Sequence, residues 1–445
     1  MKIALIDPMF KRVNSNAQMK KLLATSPYLY FYSSFWSGFS TGLLTLAALT
    51  PKDVEIRYID DNFEEIPYEE RFDIVAITAT TQQATRAYAI AEEFKKIWGK
   101  RCVLVAGGYH VSYYPEEAQK TFDVIFQGEA ESSWPAFLSD FSQHNWKPMY
   151  RSEDYPPVSL HEIPIPRYDL LKSDNYKMLW MQTSRGCPRS CEFCAASEYF
   201  GRRMRLKSPE QTVEEIQYAR KYLKFQPVLF ADDNMFLRGG QSPEFLGELE
   251  KSKIRYVAQT DIGIATKPEL LEQLRRSGCS VLFIGFESLD SRNLALMNNS
   301  QWKLQQLSEY RQHIQTILQH GIGIYGAFIL GYDWDTRESF KDVGDFVIDN
   351  YMAGAQITFP TPLPGTRLRR RLLKEGRVLD TPWENYTFFD VNIIHPTLSK
   401  GEMEEELYNL YQRIYSKDYL DRKNRYYKGL FRKTLGLQIT KDETK

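Results

Sequence analysis

Two series of alternating strand-like and helix-like stretches dominate this chain. Between residues 2 and 129 the runs KIALID (2–7), VEIRYID (54–60), DIVAITAT (73–80), RCVLVAGG (101–108) and DVIFQGE (123–129) are separated by stretches with helical spacing, QQATRAYAIAEEFKKIWG (82–99) being the plainest. Short runs that are apolar on both faces and return through amphipathic helices fit a parallel sheet covered on both sides. A second series begins at 177 with KMLWMQTS, PVLFADD, IRYVAQTD, SVLFIGFES, GIYGAFILG and AQITFP, and helical SPEQTVEEIQYARKYL, KPELLEQLRRSG and KLQQLSEYRQHIQTILQHG lie between them. Six consecutive units of this kind suit part of the eight-unit barrel, whose chemistry sits at the carboxyl ends of its strands. The expected fold class is therefore α/β: a Rossmann-like, doubly wound domain over 1–147, a proline-rich linker over 148–175 ordered by Ile163, Ile165 and Tyr168, a partial (βα)6 TIM-type barrel over 176–376, and a C-terminal helical extension over 377–445.

Three of the five cysteines fall within eight residues, Cys187, Cys191 and Cys194 in CPRSCEFC, directly after the first barrel strand. Spaced CxxxCxxC, their thiolates can converge from one loop on one metal centre. Structural zinc wants a fourth Cys or His, and His161 and His313 are the nearest histidines in sequence. A disulfide framework wants an even count and a secretory context. An iron–sulfur cluster with three protein ligands remains, leaving one iron open to a small molecule. Polar residues close the other strands on the same face: Asp232, Asp233 and Asn234, then Gln259 and Asp261, then Glu287 and Ser288. Burying such groups without partners costs about 1–3 kcal/mol each, so as a set they read as a ligand cradle, with Asp261 also a helix N-cap.

At this spacing and in this strand–loop context the cysteine loop resembles the signature of the radical S-adenosylmethionine (SAM) superfamily. The resemblance implies a [4Fe–4S] cluster on Cys187, Cys191 and Cys194, with SAM chelated by the open iron and cleaved to a 5′-deoxyadenosyl radical. It implies Phe193 beside the adenine, Asp232 or Asp233 on the SAM amino group, and Glu287 on the ribose or amino acid part; Gln259 joins this cradle. Gly326, Phe328 and Gly331 in GIYGAFILG carry the fifth-strand glycine motif, and Thr361 to Thr366 (TPLPGT) match a sixth-strand end. An electron donor such as flavodoxin or ferredoxin is implied as partner.

The first domain has no GxGxxG, which leaves a dinucleotide reading without support. VLVAGGYHVSYYPEEA followed by FDVIFQGEAE, with SGFSTGLLTLAAL ahead of them, resembles the cobalamin-binding domain that precedes many radical SAM domains. Ligands of such sheets bind at the strands' carboxyl ends, which assigns Met9, Thr78, Thr80, Gly107, Gly108, His110, Gly128 and Glu129 to cobalamin. The family's free-standing DxHxxG is broken here: DPMFKR puts Met9 at the histidine position and Arg12 at the glycine position, so cobalt would lack a histidine ligand from this loop. His110 in its turn also reads as a loop-packing residue. The aromatic stretch Tyr28, Tyr30, Phe31, Tyr32, Phe35, Trp36 and Phe39 reads as an apolar wall for corrin or substrate, or as interface packing.

The resemblance implies an enzyme that methylates an unactivated carbon of a small-molecule, lipid or peptide substrate through a 5′-deoxyadenosyl radical and methylcobalamin. Its rivals are radical SAM chemistry without methylation, in a chain whose first domain lacks cobalamin, and a non-catalytic iron–sulfur protein. Lysine plus arginine and aspartate plus glutamate both number 57, which gives no electrostatic footprint for nucleic acid. No signal-peptide pattern opens the sequence and no apolar run is long enough to span a bilayer, so a cytoplasmic protein is expected. The basic run DRKNRYYKGLFRK (421–433) reads as a solvated, partly disordered tail, or else as a contact for a membrane surface, an acidic partner or RNA, and Cys102 and Cys279 read as buried structural thiols.

Overall fold

The computed structural model describes residues 1–29, 38–223, 227–237, 239–298 and 300–434, with side chains to 430. Tyr30, Phe31, Tyr32, Phe35 and Trp36 of the aromatic stretch lie outside the described residues.

The first sheet contains β1 (Lys2–Asp7), β2 (Glu55–Asp60), β3 (Ile74–Thr78), β4 (Val103–Gly107), β5 (Val124–Gln127) and β6 (Met149–Arg151), ordered β2-β1-β3-β4-β5-β6 and parallel throughout. Successive residues feed opposite faces: Ile3, Leu5, Ile74, Ala76, Val103 and Val105 pack toward helix Thr41–Leu49, while Ala4, Ile6, Val75, Ile77, Leu104 and Ala106 pack toward helix Ala84–Trp98. Strand β6 lies in the stretch read as linker. It is a three-residue edge strand without the apolar length that marks the others.

The second sheet begins with β7 (Leu179–Met181). A two-stranded ribbon of β8 (Ser184–Arg185) and β9 (Arg205–Leu206) follows, then β10 (Val228–Phe230), β11 (Tyr256–Thr260), β12 (Cys279–Glu287), β13 (Gly323–Ile329) and β14 (Gly354–Thr358). Strands β7 and β10 to β14 lie side by side in sequence order and all parallel, the open six-stranded barrel wall expected.

Ordered linker contacts join the two sheets. Tyr168 and Tyr176 are buried edge-on against Phe39; Tyr176 Oη donates to Asp60 at 2.8 Å, and Tyr168 Oη to Glu215 at 2.7 Å. At the far edge, helix Lys400–Ile414 and the residue after it supply what a neighbouring strand would: Tyr411 Oη bonds both the N–H and C=O of Ile357, and Tyr415 Oη those of Ala355.

The basic run is a correction to the expected disordered tail, because it belongs to helix Lys417–Thr434. Tyr419 Oη bonds Val347 O and Met352 O, Lys423 is buried with its ammonium on Ala353 O, and Tyr426 stacks on Tyr351 at 4.2 Å. Only its outer face, with Arg422, Arg425 and Lys428, is solvated.

Candidate active site

The ribbon β8–β9 clasps the two ends of the cysteine loop. Gly186 has φ +95°, and a side chain there would strike Arg203 O at 2.4 Å, so the turn into Cys187 requires glycine. Backbone bonds then fix the loop along its length: Cys187 N to Gly201 O at 3.2 Å, Glu192 N to Met297 O at 2.8 Å, and Leu368 N to Glu192 O at 2.8 Å. Buried Glu192 is the central pin, bonded by Tyr332 Oη at 2.8 Å and Arg371 Nη2 at 2.9 Å.

Cys187, Cys191 and Cys194 line one cavity of about 280 Å³ at the carboxyl ends of the barrel strands. Of the residues assigned to SAM, Phe193, Asp233, Gln259, Glu287 and Phe328 line it too, together with Arg189, Asn234, Asp261, Phe283, Lys303, Gln356 and Thr358. Three expected residues do not. Asp232 is fully buried behind the loop, accepting from Thr183 N at 3.1 Å, Thr183 Oγ1 at 2.8 Å and Ser184 Oγ, and burial raises its pKa to about 6. It sets the strand end, while Asp233, accepting from Gly186 N at 2.9 Å, faces the ligand space. Gly326 turns toward Met352, where a side chain would lie 2.7 Å from its sulfur, and Gly331 turns toward Met403 with φ +95°.

Glu287 ends β12 after a bulge, in a left-handed backbone at φ +69° that a side chain-bearing residue rarely takes. Lys303, unmarked in the sequence, explains it: its buried ammonium bonds Glu287 Oε1 and Gly285 O, the latter at 2.9 Å. Burial opposes the lysine's charge, but Glu287 and nearby Cys191 outweigh it and raise its pKa. Asp261 is the expected cap, accepting from Gly263 N at 3.1 Å, and it also holds Arg189 Nη2 at 3.0 Å above Trp302. The strand register sets Gly285, Ala327 and Gln356 side by side, so small residues leave the middle of the wall open.

The residues fit the groups implied. Among the described residues Gln356 Oε1 and Arg189 Nε, buried in this wall, have no hydrogen-bond partner, an acceptor and a donor suited to a polar ligand such as SAM. Burial pushes the Cys187 thiol to about 12 and the Cys191 thiol to about 11, so their thiolates need a cationic centre to take up the charge. A cluster would present a separate iron to each of the three thiolates.

A second cavity, of about 270 Å³, lies between the carboxyl ends of β3 to β5 and the first barrel strand. Thr78, Gly107, Gly108, Gly128 and Glu129 line it as expected, with Phe39, Trp134, Trp180, Arg185, Tyr199 and Phe200. A side chain at Gly108 (φ +98°) would meet Thr78 Oγ1 and Ala79 O at 2.9 Å, and one at Gly128 (φ +84°) would meet Ser152 Oγ at 2.3 Å, so bare backbone forms this rim. Met9 is 40% exposed outside the cavity, and Thr80 caps the short helix Thr81–Gln83. His110 is wholly buried against Trp383, 3.2 Å from Glu117, so packing is its observed role. The apolar, glycine-edged slot fits one face of a corrinoid.

Residues 38–138 match the model of the B12 binding domain, and residues 181–347 that of the radical SAM superfamily. Those domain types imply cobalamin in the first case, and SAM with a [4Fe–4S] cluster in the second. Among curated relatives, the bacteriochlorophyllide d C-8(2)-methyltransferase of Chlorobaculum tepidum is 29% identical over 384 residues, covering 83% of each chain. The hopanoid C-2 methylase of Rhodopseudomonas palustris is 27% identical over 357 residues, covering 76% of this chain and 65% of its own. Of solved structures, the radical SAM methyltransferase TsrM from Kitasatospora setae superposes with TM-score 0.65 at 13% identity over 92% of this chain and 88% of that one. The cobalamin-dependent radical enzyme OxsB gives 0.60 at 15% identity over 100% and 63%. Such low identities speak to fold alone, and it is the same succession of sheets. With both domain models matched in chain order and three cysteines at the mouth of the second sheet, residues 38–138 form a B12-binding domain and residues 181–347 a radical SAM domain.

Proposed function

We propose that this enzyme is a cobalamin-dependent radical SAM methyltransferase that methylates an unactivated carbon of a small-molecule, lipid or peptide substrate with an apolar body. One observation carries the reading: a single loop walls both cavities, with Arg185, Tyr199 and Phe200 facing the slot of the first sheet and Cys187, Cys191 and Cys194 facing the barrel. When bound, cluster and SAM supply a hydrogen-abstracting 5′-deoxyadenosyl radical, and the corrinoid supplies the methyl group. The chain's part is to hold these groups a loop's thickness apart and to exclude water. Asp233 and Glu287 offer acceptors to the SAM amino and ribose groups, Lys303 holds Glu287 in place, and Phe193 covers the adenine. Phe283, Phe328, Phe359 and Phe388 give the remaining wall its apolar character, which supports a substrate with a greasy ring or chain, as do the names of the relatives above.

Anaerobic reconstitution with iron, sulfide and hydroxocobalamin, followed by desalting and metal assay, tests the cofactors; about four irons and one cobalt per chain are expected. Methyl-labelled SAM should then pass its label into an organic-soluble product. Iron without cobalt would sink the methyltransferase reading and leave radical SAM chemistry without methyl transfer.

A further inference from the structure

Asn298 and Lys303 carry no part of the CxxxCxxC motif and nevertheless stand near its second cysteine. Asn298 is 1% exposed, and its Nδ2 lies 3.5 Å from Cys191 Sγ, with the backbones of Asn298 and Cys191 joined in an antiparallel bridge. The orientation of its amide is fixed by its surroundings: Oδ1 accepts from Ser300 N at 2.9 Å and Ser300 Oγ at 2.8 Å. A backbone N–H can only donate, so the oxygen must face Ser300 and the NH2 group must face the sulfur. Five residues on, the Lys303 ammonium sits in the same cavity wall close enough to Cys191 for the two to interact electrostatically.

We propose that Asn298 is a positioning residue for the iron–sulfur centre, its amide donating to Cys191 Sγ and, with the Lys303 charge in the same cavity wall, raising the centre's reduction potential. This rests on the cluster assignment above. Reduction adds negative charge that is shared by the sulfurs. An N–H donor and a fixed cation stabilise the reduced form more than the oxidised one, and hydrogen bonds to sulfur are among the factors that set cluster potentials. The chemical need is evident, because the electron must enter a cluster buried in a low-dielectric wall, where extra negative charge is costly.

Asn298→Asp is the sharpest test. It keeps the oxygen that Ser300 binds and replaces the donor facing sulfur by an acceptor. Asn298→Leu removes the donor without adding charge. Both, with the wild-type chain, would be reconstituted anaerobically, assayed for iron, and titrated against redox mediators with the reduced cluster followed by electron paramagnetic resonance. The expected result is unchanged iron content with a potential shifted negative, Asn298→Asp more than Asn298→Leu. For Asn298→Asp the oxidised-to-reduced ratio at fixed potential should rise roughly tenfold, about 59 mV for one electron. An unchanged potential in both variants overturns the inference while leaving the cluster intact. Loss of iron from both, with the fold retained by circular dichroism, overturns it too and reduces Asn298 to holding the ligand loop. A wild-type chain that takes up no iron would instead refute the cluster assignment itself.

Discussion

Arg185 lines the slot of the first sheet at the base of the cysteine loop, and replacing it by methionine puts the domain junction under direct test. Its guanidinium bonds Glu129 Oε1, Glu131 Oε1 at 2.6 Å and Gln182 Oε1 at 2.9 Å, and it lies over the Phe200 ring. Glu129 keeps a second cation, Arg205 Nη1 at 2.8 Å, so the substitution strands chiefly Glu131. Stranding one member of a buried pair costs about 3–5 kcal/mol. The remaining cation argues for the low end, about 3 kcal/mol, or roughly 6–12 °C in the melting midpoint of a unit of this size. Burial alone would push Glu131 up, but Arg185 first and Arg205 further out hold it below its ordinary range. In the wild type that contribution is present above the unfolded carboxyl's pKa, about 4.3, and is lost as pH falls through the lowered folded value. In Arg185→Met burial acts with less opposition and moves the folded value up. The variant's deficit should therefore be largest near pH 7.5 and shrink toward pH 5 as the stranded carboxyl takes up a proton. Scanning calorimetry of both proteins at pH 5.0, 6.2 and 7.5, at one scan rate, reads this out. A loss under about 1 kcal/mol, or one equal at all three pH values, would refute the reasoning, since it would mean that water already solvates the carboxylates.

Replacing Cys187, Cys191 or Cys194 by alanine should each abolish iron uptake on reconstitution, whereas Cys102→Ala, at a thiol that burial raises to about 12, should leave the iron count unchanged. Gly285→Ala would place a methyl 2.2 Å from Glu287 Oε1 and 3.1 Å from Lys303 Nζ; overpacking of about 1–3 kcal/mol should weaken SAM binding roughly 5- to 150-fold by calorimetry. Asp7, buried beside Asp60, is pushed up to about 7, so the stability it lends is fully present below the unfolded pKa and lost as pH rises through 7; the melting midpoint of Asp7→Asn relative to wild type should climb between pH 5.5 and 8.5. Loading with hydroxocobalamin should change hydrogen exchange in β5 and in the loop at 199–201, which face each other across the narrow slot, and unchanged exchange there in a cobalt-containing protein would count against that slot as the site.

Strands of both sheets were legible because each is a run apolar on two faces, a pattern few other structures support. Strand β6 was not, since Met149–Arg151 has one buried residue in three and is defined by its partner β5. The cysteine loop was legible from spacing. Which neighbour of a strand end faces inward was not: Asp232 and Asp233 are adjacent carboxylates, and only the position of the Thr183–Ser184 donors turns the first away from the cavity. Lys303 and Asn298 had no sequence signal either, because the partners that give them a role, Glu287 and Cys191, lie 16 and 107 residues away. The basic C-terminal run misled by composition, since Tyr426 and Tyr427, interleaved with its cations, anchor a helix on Tyr351 in the turn before the last barrel strand.

The cavity wall gains its precision from how little of it is left to side-chain choice. Gly186 and Gly201 shape the ends of the cysteine loop in left-handed conformations, backbone bonds to Met297 and Leu368 hold its middle, and buried Glu192 ties it to Tyr332 and Arg371. A loop pinned at this many points presents its thiols with little ordering left to do when a cluster forms, so the entropy of arranging three ligands is met by folding rather than by metal binding. The same pins make the loop a rigid partition. A group bound at Arg185 on one side and a group bound at the cysteines on the other are then held at a separation that the barrel fixes, which is the arrangement a reaction needs when it must pass one atom between two cofactors and a substrate without admitting water.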